Sequence, residues 1–306
     1  MSPLANETKR NLLFVINPVA GNRPKKNIPA LVKKYLDTGS LNYELGFTTH
    51  KGHAKSLALD AVKANFHGVI AVGGDGTINE VGQSLIGTST AMGILPCGSG
   101  NGLARFMHIP MNLRRAIEVI NQQYLVKIDA AKANERAFFV TAGIGFDAHV
   151  GKLFAKSPHR GFGSYVQAVL SSIFTYLPQN YQINVNGELM QTKAFAITLA
   201  NSGQYGNNAY IAPQALINDG LLDLCIIKPF PRYLFADLSL RLFNRTIDQS
   251  RFVVIQKITS LEIFSEGVEN YHLDGENFEM EQNLKLEILP ESLNLMIPTP
   301  SMKNAV

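Results

Sequence analysis

The chain has 306 residues, of which 46% are hydrophobic and 17% charged, so it is long enough for two domains and too apolar for a disordered chain. Its 28 basic and 24 acidic residues give a net charge of +4, which is weak evidence for an anionic partner and does not require a nucleic acid. Two cysteines cannot build a disulfide framework, and the polar N-terminus lacks the apolar core of a secretory signal. We therefore expect a folded, cytoplasmic protein without a membrane-spanning helix.

The first 130 residues alternate short apolar runs with helical patterns, which is typical of βαβ units. The apolar runs predict strands at 12–16, 43–48, 68–72 and 92–95. The spacing of apolar residues predicts helices at 28–36, 54–64, 77–85 and 113–120. We therefore expect an α/β domain with a mostly parallel sheet over residues 1–128.

The pattern changes after Val126 to alternating polar and apolar residues, which predict an antiparallel, β-rich domain over residues 129–289. Strands are expected at 181–185, 194–199, 221–227 and 284–289, and helices at 165–176 and 233–243. Asn186-Gly187 predicts a two-residue hairpin, because both central positions of a type I′ turn need positive φ. Residues 290–306 are a segment that can return to the first domain.

Glycine-rich turns follow three of the predicted strands, at residues 17–21, 73–77 and 96–102. Glycine lets the backbone approach an anion, and a helix that begins after the turn directs its N–H groups at phosphate. One such turn is more often structural, but three at successive strand ends indicate a nucleotide site. A P-loop is excluded because no GxxxxGK[ST] occurs, and GxGxxG with an acidic ribose partner is also absent.

Asp75 stands between glycines in the second turn, where its carboxylate could bind Mg²⁺ and the phosphates around it. The alternative is an aspartate that caps a helix. Thr77 and Glu80 have the spacing of a capping box, which would explain both residues without a ligand. For Thr77 the two roles are compatible, since a helix cap also lies beside the anion.

Three motifs taken together, NPVAG (17–21), GGDGTINEV (73–81) and PCGSGNGLAR (96–105), resemble the diacylglycerol kinase catalytic family, which includes bacterial lipid kinases and is related to the sphingosine kinases. GGDGT alone is shared with NAD kinases and, distantly, with phosphofructokinases. The resemblance continues through residues 143–147, 218–223 and 273–276. It implies an NAD kinase/phosphofructokinase-like nucleotide-binding domain and an antiparallel β-sandwich-like domain, with the active site in the cleft between them.

The resemblance also implies which residues contact ATP: Asn17, Pro18, Val19, Ala20, Gly21, Thr48, Gly73, Gly74, Asp75, Gly76, Thr77, Ile78, Asn79 and Ser99. Ser99 stands where many bacterial members have threonine, so the hydroxyl is kept. The tetrapeptide GSGN (98–101) is more similar to the corresponding motif of the sphingosine kinases than to that of many bacterial diacylglycerol kinases. Diacylglycerol and a sphingoid base are therefore both candidate acceptors.

The segment LDGE supplies two carboxylates, Asp274 and Glu276, and in the family it provides the catalytic base. A lipid hydroxyl needs such a group to accept its proton. Glu276 is our first choice and Asp274 the second, beside Asp75 as the third catalytic residue. From the residues alone, Asp274-Gly275 is equally a hairpin turn. The resemblance further implies a structural Mg²⁺ bound by an aspartate and backbone carbonyls, which match Leu216, Asp219 and Leu221, so ATP and Mg²⁺ are the expected cofactors.

The sequence thus predicts an ATP-dependent lipid kinase that acts on diacylglycerol or a related membrane lipid. A sphingoid-base kinase and an NAD kinase remain alternatives, as does a nucleotide-dependent lipid-binding regulator without turnover. The acceptor implies peripheral contact with the inner membrane surface, and a homodimer is left open. Basic residues alternate with aromatic ones over 152–165, a pattern that fits a lipid-facing surface or an ordinary amphipathic helix.

Overall fold

The computed structural model describes residues 9–19, 27–156, 162–264, 269–280 and 283–303. The chain divides into two compact units. The first consists of Met1–Gly98, Met107–Lys127 and Leu293–Val306, and the second of Ser99–Phe106 and Ile128–Ser292. The sequence did not indicate that Ser99–Phe106 groups with the second unit.

In chain order, the strands are β1 (Arg10–Ile16), β2 (Leu41–Phe47), β3 (Gly68–Gly73), β4 (Ala91–Pro96), β5 (Leu125–Ala133), β6 (Arg136–Phe138), β7 (Thr141–Gly145), β8 (Gln179–Val185), β9 (Glu188–Ala194), β10 (Ala196–Ala200), β11 (Gln204–Gly206), β12 (Ala209–Tyr210), β13 (Leu222–Ile227), β14 (Val253–Ile258), β15 (Ser260–Phe264), β16 (Glu269–Leu273), β17 (Glu276–Met280) and β18 (Leu284–Met296). The helices are α1 (Ile28–Tyr35), α2 (His53–Lys63), α3 (Asp75–Leu85), α4 (Gly102–Phe106), α5 (Leu113–Gln122), α6 (Phe146–Lys156), α7 (Phe162–Ser172), α8 (Phe235–Phe243) and α9 (Pro300–Lys303).

The first unit is built on a parallel sheet in the order β2-β1-β3-β4. All six residues of β3 and all six of β4 are buried, which explains why these strands are continuous apolar runs. The end of β18 adds a further parallel strand, with Leu295 opposite Met92. The predicted α/β architecture with a mostly parallel sheet is confirmed.

The second unit is an antiparallel β-sandwich. One sheet runs β14-β13-β10-β7-β16-β17, and the other contains β18, β15, β8 and β9 in that order, with β5 and β6 at its side. Side chains from both sheets form one core, among them Ile144, Leu199 and Leu224 from the first and Ile183, Leu261 and Leu286 from the second. The predicted β-sandwich-like architecture is confirmed.

The hairpin at Asn186-Gly187 is present as predicted. Val185 pairs with Glu188, and the two turn residues have φ values of 50° and 98°. The Asn186 side chain also accepts hydrogen bonds from the backbone N–H groups of Thr259 and Ser260 at 3.0 and 3.1 Å. The turn therefore ties the β8–β9 hairpin to the start of β15.

Several predicted boundaries were wrong. The strand expected at 194–199 is two strands, because β9 ends at Ala194 and β10 begins at Ala196. The strand expected at 284–289 continues to Met296. Helices α4 and α6 were not placed by the sequence prediction. Within the described ranges, no helix is both long and apolar enough to cross a membrane.

Candidate active site

The second glycine-rich turn leads directly from β3 into α3. The helix was predicted to begin at Thr77, but it begins at Asp75, so Asp75 and Gly76 form part of its first turn. Asp75 is therefore the first helical residue rather than a turn residue. The N-cap is Gly74, which has no side chain to bond the first N–H groups. The N-terminus of α3 thus presents backbone N–H groups of the kind that bind phosphate.

Thr77 and Asn17 connect the first two glycine-rich turns. The Asn17 side-chain amide donates to Oγ1 of Thr77 at 3.2 Å, and its Oδ1 accepts from Val19 N at 3.1 Å. The backbone N–H of Asn17 donates to the Val72 carbonyl at 3.1 Å. Hydrogen bonds at the ends of β1 and β3 therefore hold Asn17 and Thr77, two predicted ATP-contacting residues, close together.

The capping box expected for Thr77 and Glu80 is wrong, because Thr77 is already the third residue of α3 and cannot be its N-cap. The Glu80 carboxylate instead accepts hydrogen bonds from Gly52 N at 2.9 Å and Ala54 N at 3.2 Å. These donors lie at the start of α2. Glu80 therefore caps a neighbouring helix, which explains this residue without a ligand.

The second and third glycine-rich turns touch each other. Cys97 N donates to the Gly73 carbonyl at 2.8 Å, and a Cβ built on Gly74 would lie 3.3 Å from Cα of Gly98. A Cβ on Gly73 would lie 2.4 Å from Oγ1 of Thr77, so no larger residue fits there. Glycine at 73 is therefore required by packing within the protein.

Gly76 is different, because nothing in the described part of the chain requires glycine there. The residue is exposed, its φ lies outside the left-handed region, and an added Cβ would meet no atom of the described residues within 4 Å. Glycine costs an exposed helix roughly 0.5–1 kcal/mol relative to alanine. A ligand that approaches the N-terminus of α3 closely would account for its presence.

The remaining predicted ATP contacts of the first unit differ in burial. Thr48 is buried and its N–H donates to the Ile16 carbonyl at 2.9 Å, while Ile78 is buried and Asn79 half-buried in α3. Pro18 and Val19 are exposed beyond the end of β1. Ala20 and Gly21 lie outside the described residues.

Ser99, the last predicted ATP contact, lies in the second unit and is exposed. The segment that follows is held by local bonds, because Arg105 Nε donates to the Gly100 carbonyl at 2.8 Å. A Cβ on Gly102 would lie 3.2 Å from the Val140 side chain. The segment after Ser99 is thus ordered by its own hydrogen bond, and its backbone packs closely against Val140 of the second unit at Gly102.

Asp274 and Glu276 flank a two-residue hairpin between β16 and β17. Leu273 pairs with Glu276, and the turn residues Asp274 and Gly275 have φ values of 48° and 83°. The turn interpretation was therefore correct, and it is compatible with a functional role for either carboxylate.

The two carboxylates have different surroundings. Asp274 accepts backbone hydrogen bonds from Phe139 at 2.9 Å, Val140 at 2.8 Å and Thr141 at 3.1 Å, which engage both of its oxygens. Glu276 is exposed at the first position of β17. Asp274 therefore holds the hairpin against the segment before β7, and Glu276 is the better candidate for the catalytic base.

A buried polar network that the sequence analysis missed lies beside this hairpin. Oδ2 of Asp147 accepts hydrogen bonds from Thr198 Oγ1 and Tyr205 OH, both at 2.6 Å. Burial raises the pKa of Tyr205 and lowers the pKa of His272, which is also buried. Asp147 belongs to one of the motifs that carry the resemblance, but Thr198 joins it only because β10 pairs with β7. The sequence carried no signal for that pairing.

The residues of the predicted structural Mg²⁺ site do not fit a metal ion. Lys257 Nζ lies 2.5 Å from Oδ2 of Asp219, so an ammonium ion already holds this carboxylate. Leu216 and Leu221 belong to the same segment, between β12 and β13. Asp75 remains compatible with Mg²⁺ carried by a nucleotide, since such ions use one or two carboxylates plus phosphates.

Comparison with known proteins decides the family. The profile of the diacylglycerol kinase catalytic domain matches residues 11–133, and that of the YegS C-terminal NAD kinase beta sandwich-like domain matches residues 139–297. The chain belongs to the diacylglycerol kinase catalytic family. A Klebsiella pneumoniae protein named probable lipid kinase YegS-like is 30% identical, over 94% of this chain and 95% of its own length. A Yersinia enterocolitica protein of the same name is 28% identical, over 94% of this chain and 96% of its own length. Because the chain belongs to this family of lipid kinases, it is a kinase.

Solved structures share the fold of this lipid kinase family. A putative diacylglycerol kinase from Bacillus anthracis superposes with a TM-score of 0.78 at 20% identity, over 97% of this chain and 99% of that one. Yeast NADH kinase in complex with NADH gives a TM-score of 0.52 at 10% identity, over 96% of this chain and 85% of that one. The fold is therefore the one shared by diacylglycerol kinases and NAD kinases.

Proposed function

We propose that the protein is an ATP-dependent lipid kinase that transfers the γ-phosphoryl group to a hydroxyl of diacylglycerol or a closely related lipid. The observation that carries the proposal is the exposed N-terminus of α3, where Gly76 is needed neither by backbone conformation nor by packing. Relatives that span nearly the whole chain are named probable lipid kinases, which supports a lipid acceptor.

Each residue has its own role in the proposed reaction. The N–H groups at the start of α3 bind the phosphates, and Asn17 keeps Thr77 oriented beside them. Asp75 binds the Mg²⁺ that accompanies ATP. When bound, Mg²⁺ offsets negative charge on the phosphoryl group that is transferred. These residues act by positioning and by electrostatics, which supply most of the catalysis in phosphoryl transfer.

Glu276 accepts the proton of the lipid hydroxyl. The hydroxyl oxygen forms a bond to the γ-phosphorus while the bond from that phosphorus to the β–γ bridging oxygen breaks, and ADP leaves. Asp274 positions the hairpin that carries Glu276 through its three backbone bonds.

We propose that an apolar face of the second unit brings the enzyme to the membrane. The face has two groups of exposed apolar side chains, one at and just after the end of α7 and one from the turn before α8 into that helix: Leu170, Phe174 and Leu177, and Tyr233, Leu240 and Phe243. Both helices pack on one hydrophobic cluster, and Arg232 donates to the Tyr176 carbonyl. Residues 228–251 contain five basic and two acidic side chains, which favours an anionic bilayer as the partner.

The other candidate for this contact, the basic and aromatic pattern at 152–165, is less suited to it. Lys152 forms a hydrogen bond with Asn270 at 3.0 Å and an ion pair with Glu279 at 3.6 Å. Its charge is therefore partly compensated within the protein. Arg160 lies outside the described residues.

Vesicle flotation tests the apolar face. Phe174 is 72% exposed and Leu240 is 62% exposed, so the double change Phe174→Ser and Leu240→Ser removes apolar surface without opening the core. We expect binding to anionic vesicles to weaken by about tenfold or more. Leu189→Ser on β9, where the residue is 61% exposed, is the matched control and should bind normally. Equal loss in the control, or no binding by the unaltered protein at low salt, would exclude this face.

The proposed reaction is tested by incubating the purified protein with γ-labelled ATP, Mg²⁺ and a total lipid extract. We expect the label to appear in one lipid class, whose identification distinguishes diacylglycerol from a sphingoid base. A parallel reaction with NAD as the acceptor should remain unlabelled. Label in NAD, or in no lipid at all, would overturn the proposal.

A further inference from the structure

A lysine on β14 contacts the turn before β13 at the place where the family resemblance implies a metal ion. Lys257 Nζ lies 2.5 Å from Oδ2 of Asp219 and 3.6 Å from Oδ2 of Asp223. The other Asp219 oxygen, Oδ1, accepts a hydrogen bond from Leu221 N at 3.1 Å. Both carboxylate oxygens of Asp219 are thus occupied by donors of the protein itself.

The position of Lys257 is fixed by the sheet. Lys257 on β14 lies directly opposite Asp223 on β13 in the antiparallel register. The Asp223 side chain is 5% exposed and that of Asp219 is 19% exposed, so the ammonium group bridges two largely buried carboxylates. A lysine side chain is ordinarily protonated at neutral pH, so an ammonium group contacts both carboxylates.

The backbone of the same turn is ordered by a second aspartate. Asp129 is fully buried, and its carboxylate accepts hydrogen bonds from Gly220 N and Glu291 N, both at 2.7 Å. Its own N–H donates to the Ile217 carbonyl at 2.7 Å. Hydrogen bonds to Asp129 therefore order the backbone of this turn from within the protein.

We propose that the ammonium group of Lys257 replaces the divalent cation in this turn, so that the second unit folds without Mg²⁺. An ammonium ion and a divalent cation would repel each other strongly if they shared Asp219 in a partly buried site. Removal of the lysine charge would leave Asp219 and Asp223 uncompensated and would create a site for a hard cation. The inference concerns the stability of the fold and does not depend on the proposed kinase reaction.

Thermal unfolding of the full-length protein in EDTA and in Mg²⁺ tests this inference. We expect the Tm of the unaltered protein to be the same in both. Lys257→Met should have a lower Tm in EDTA and regain about 2–4 °C on titration with Mg²⁺, in a saturable manner. The double variant Lys257→Met, Asp219→Asn should lose that response. Lys285→Met is the matched control, since it removes another ion-paired lysine of the second unit and should create no response to Mg²⁺.

Two results would overturn the inference. One is a Mg²⁺-dependent rise in the Tm of the unaltered protein that Asp219→Asn abolishes, because Asp219 would then be a metal ligand beside Lys257. The other is a folded Lys257→Met variant whose Tm does not respond to Mg²⁺. The first result needs no variant of Lys257, so the inference stays testable if that variant does not fold.

Discussion

At the scale of single residues, Asp274 and Glu276 are separated by one residue but have different surroundings, and the functions that we propose for them differ accordingly. Asp274 accepts three backbone hydrogen bonds from a segment that is distant in sequence, whereas Glu276 is exposed at the start of β17. An acceptor shared by three buried N–H groups stabilises the fold. We therefore propose that the exposed Glu276, rather than Asp274, meets the substrate hydroxyl.

Substitution of each carboxylate separates these functions. Glu276→Gln should lower kcat at least about 100-fold, because general bases contribute roughly 10²–10⁴-fold, while the free energy of unfolding changes little. Asp274→Ala should destabilise the protein by at least about 3 kcal/mol, because it leaves three buried N–H groups without acceptors. Urea unfolding and initial rates measure both. Full activity in Glu276→Gln would exclude it as the base.

The sequence identified Asp274 and Glu276 as candidate bases, but it could not show how their surroundings differ. LDGE predicted a turn and two candidate bases, and the turn is present. The bonds from Phe139, Val140 and Thr141 depend on the pairing of β7 with β16, which no local pattern reveals. The same holds for Lys257, since its contact with Asp219 depends on the register of β14 against β13.

At the scale of elements, the start of α3 combines a helix N-terminus with a glycine that the protein itself does not need. The sequence located β3 and the body of α3, because a continuous apolar run and a helical spacing are strong signals. It placed the helix start two residues late, since glycines and an aspartate indicate a turn by composition. It did not place the start of α6. The end of that helix lies within 152–165, where an amphipathic helix was one of the two interpretations.

Gly76→Ala should separate stability from ATP binding. Alanine should raise the free energy of unfolding by up to about 1 kcal/mol, because nothing opposes its methyl group and alanine favours a helix. The same methyl group should hinder the approach of phosphate and weaken ATP binding, which calorimetry measures.

Gly163→Ala is the matched control for that experiment. Gly163 is likewise the second residue of an 11-residue helix, it is exposed, and an added Cβ would meet no atom within 4 Å. The control should gain similar stability and bind ATP normally. Unchanged ATP affinity in Gly76→Ala would contradict a phosphate site at the start of α3.

At the scale of the whole molecule, the buried His272 makes stability depend on pH. Burial lowers the pKa of His272 below its ordinary value of 6.5, so the folded protein keeps this imidazole neutral while the unfolded chain takes up a proton. Below about pH 6.5 the unfolded state then binds more protons than the folded state, and acidification favours unfolding. The sequence could not predict this effect, because it depends on burial.

Chemical denaturation between pH 7.5 and 5 tests that effect. The free energy of unfolding should fall as the pH decreases below about 6.5, by at most about 1.4 kcal/mol per pH unit for one proton. His272→Gln should reduce this slope, and a change at the exposed His50 should not. An unchanged slope in His272→Gln would assign the pH dependence to other groups.

In the proposed reaction, the first unit holds ATP at the start of α3 and the whole enzyme transfers phosphate to a lipid. The most direct test is transfer of γ-labelled phosphate into the organic phase by Asp75→Ala, alongside its circular dichroism and Tm. We predict that this variant forms no labelled lipid. Its spectrum and Tm should stay close to those of the unaltered protein, because Asp75 is half-buried and is the first residue of α3. Near-native lipid phosphorylation by a folded Asp75→Ala variant would contradict this assignment.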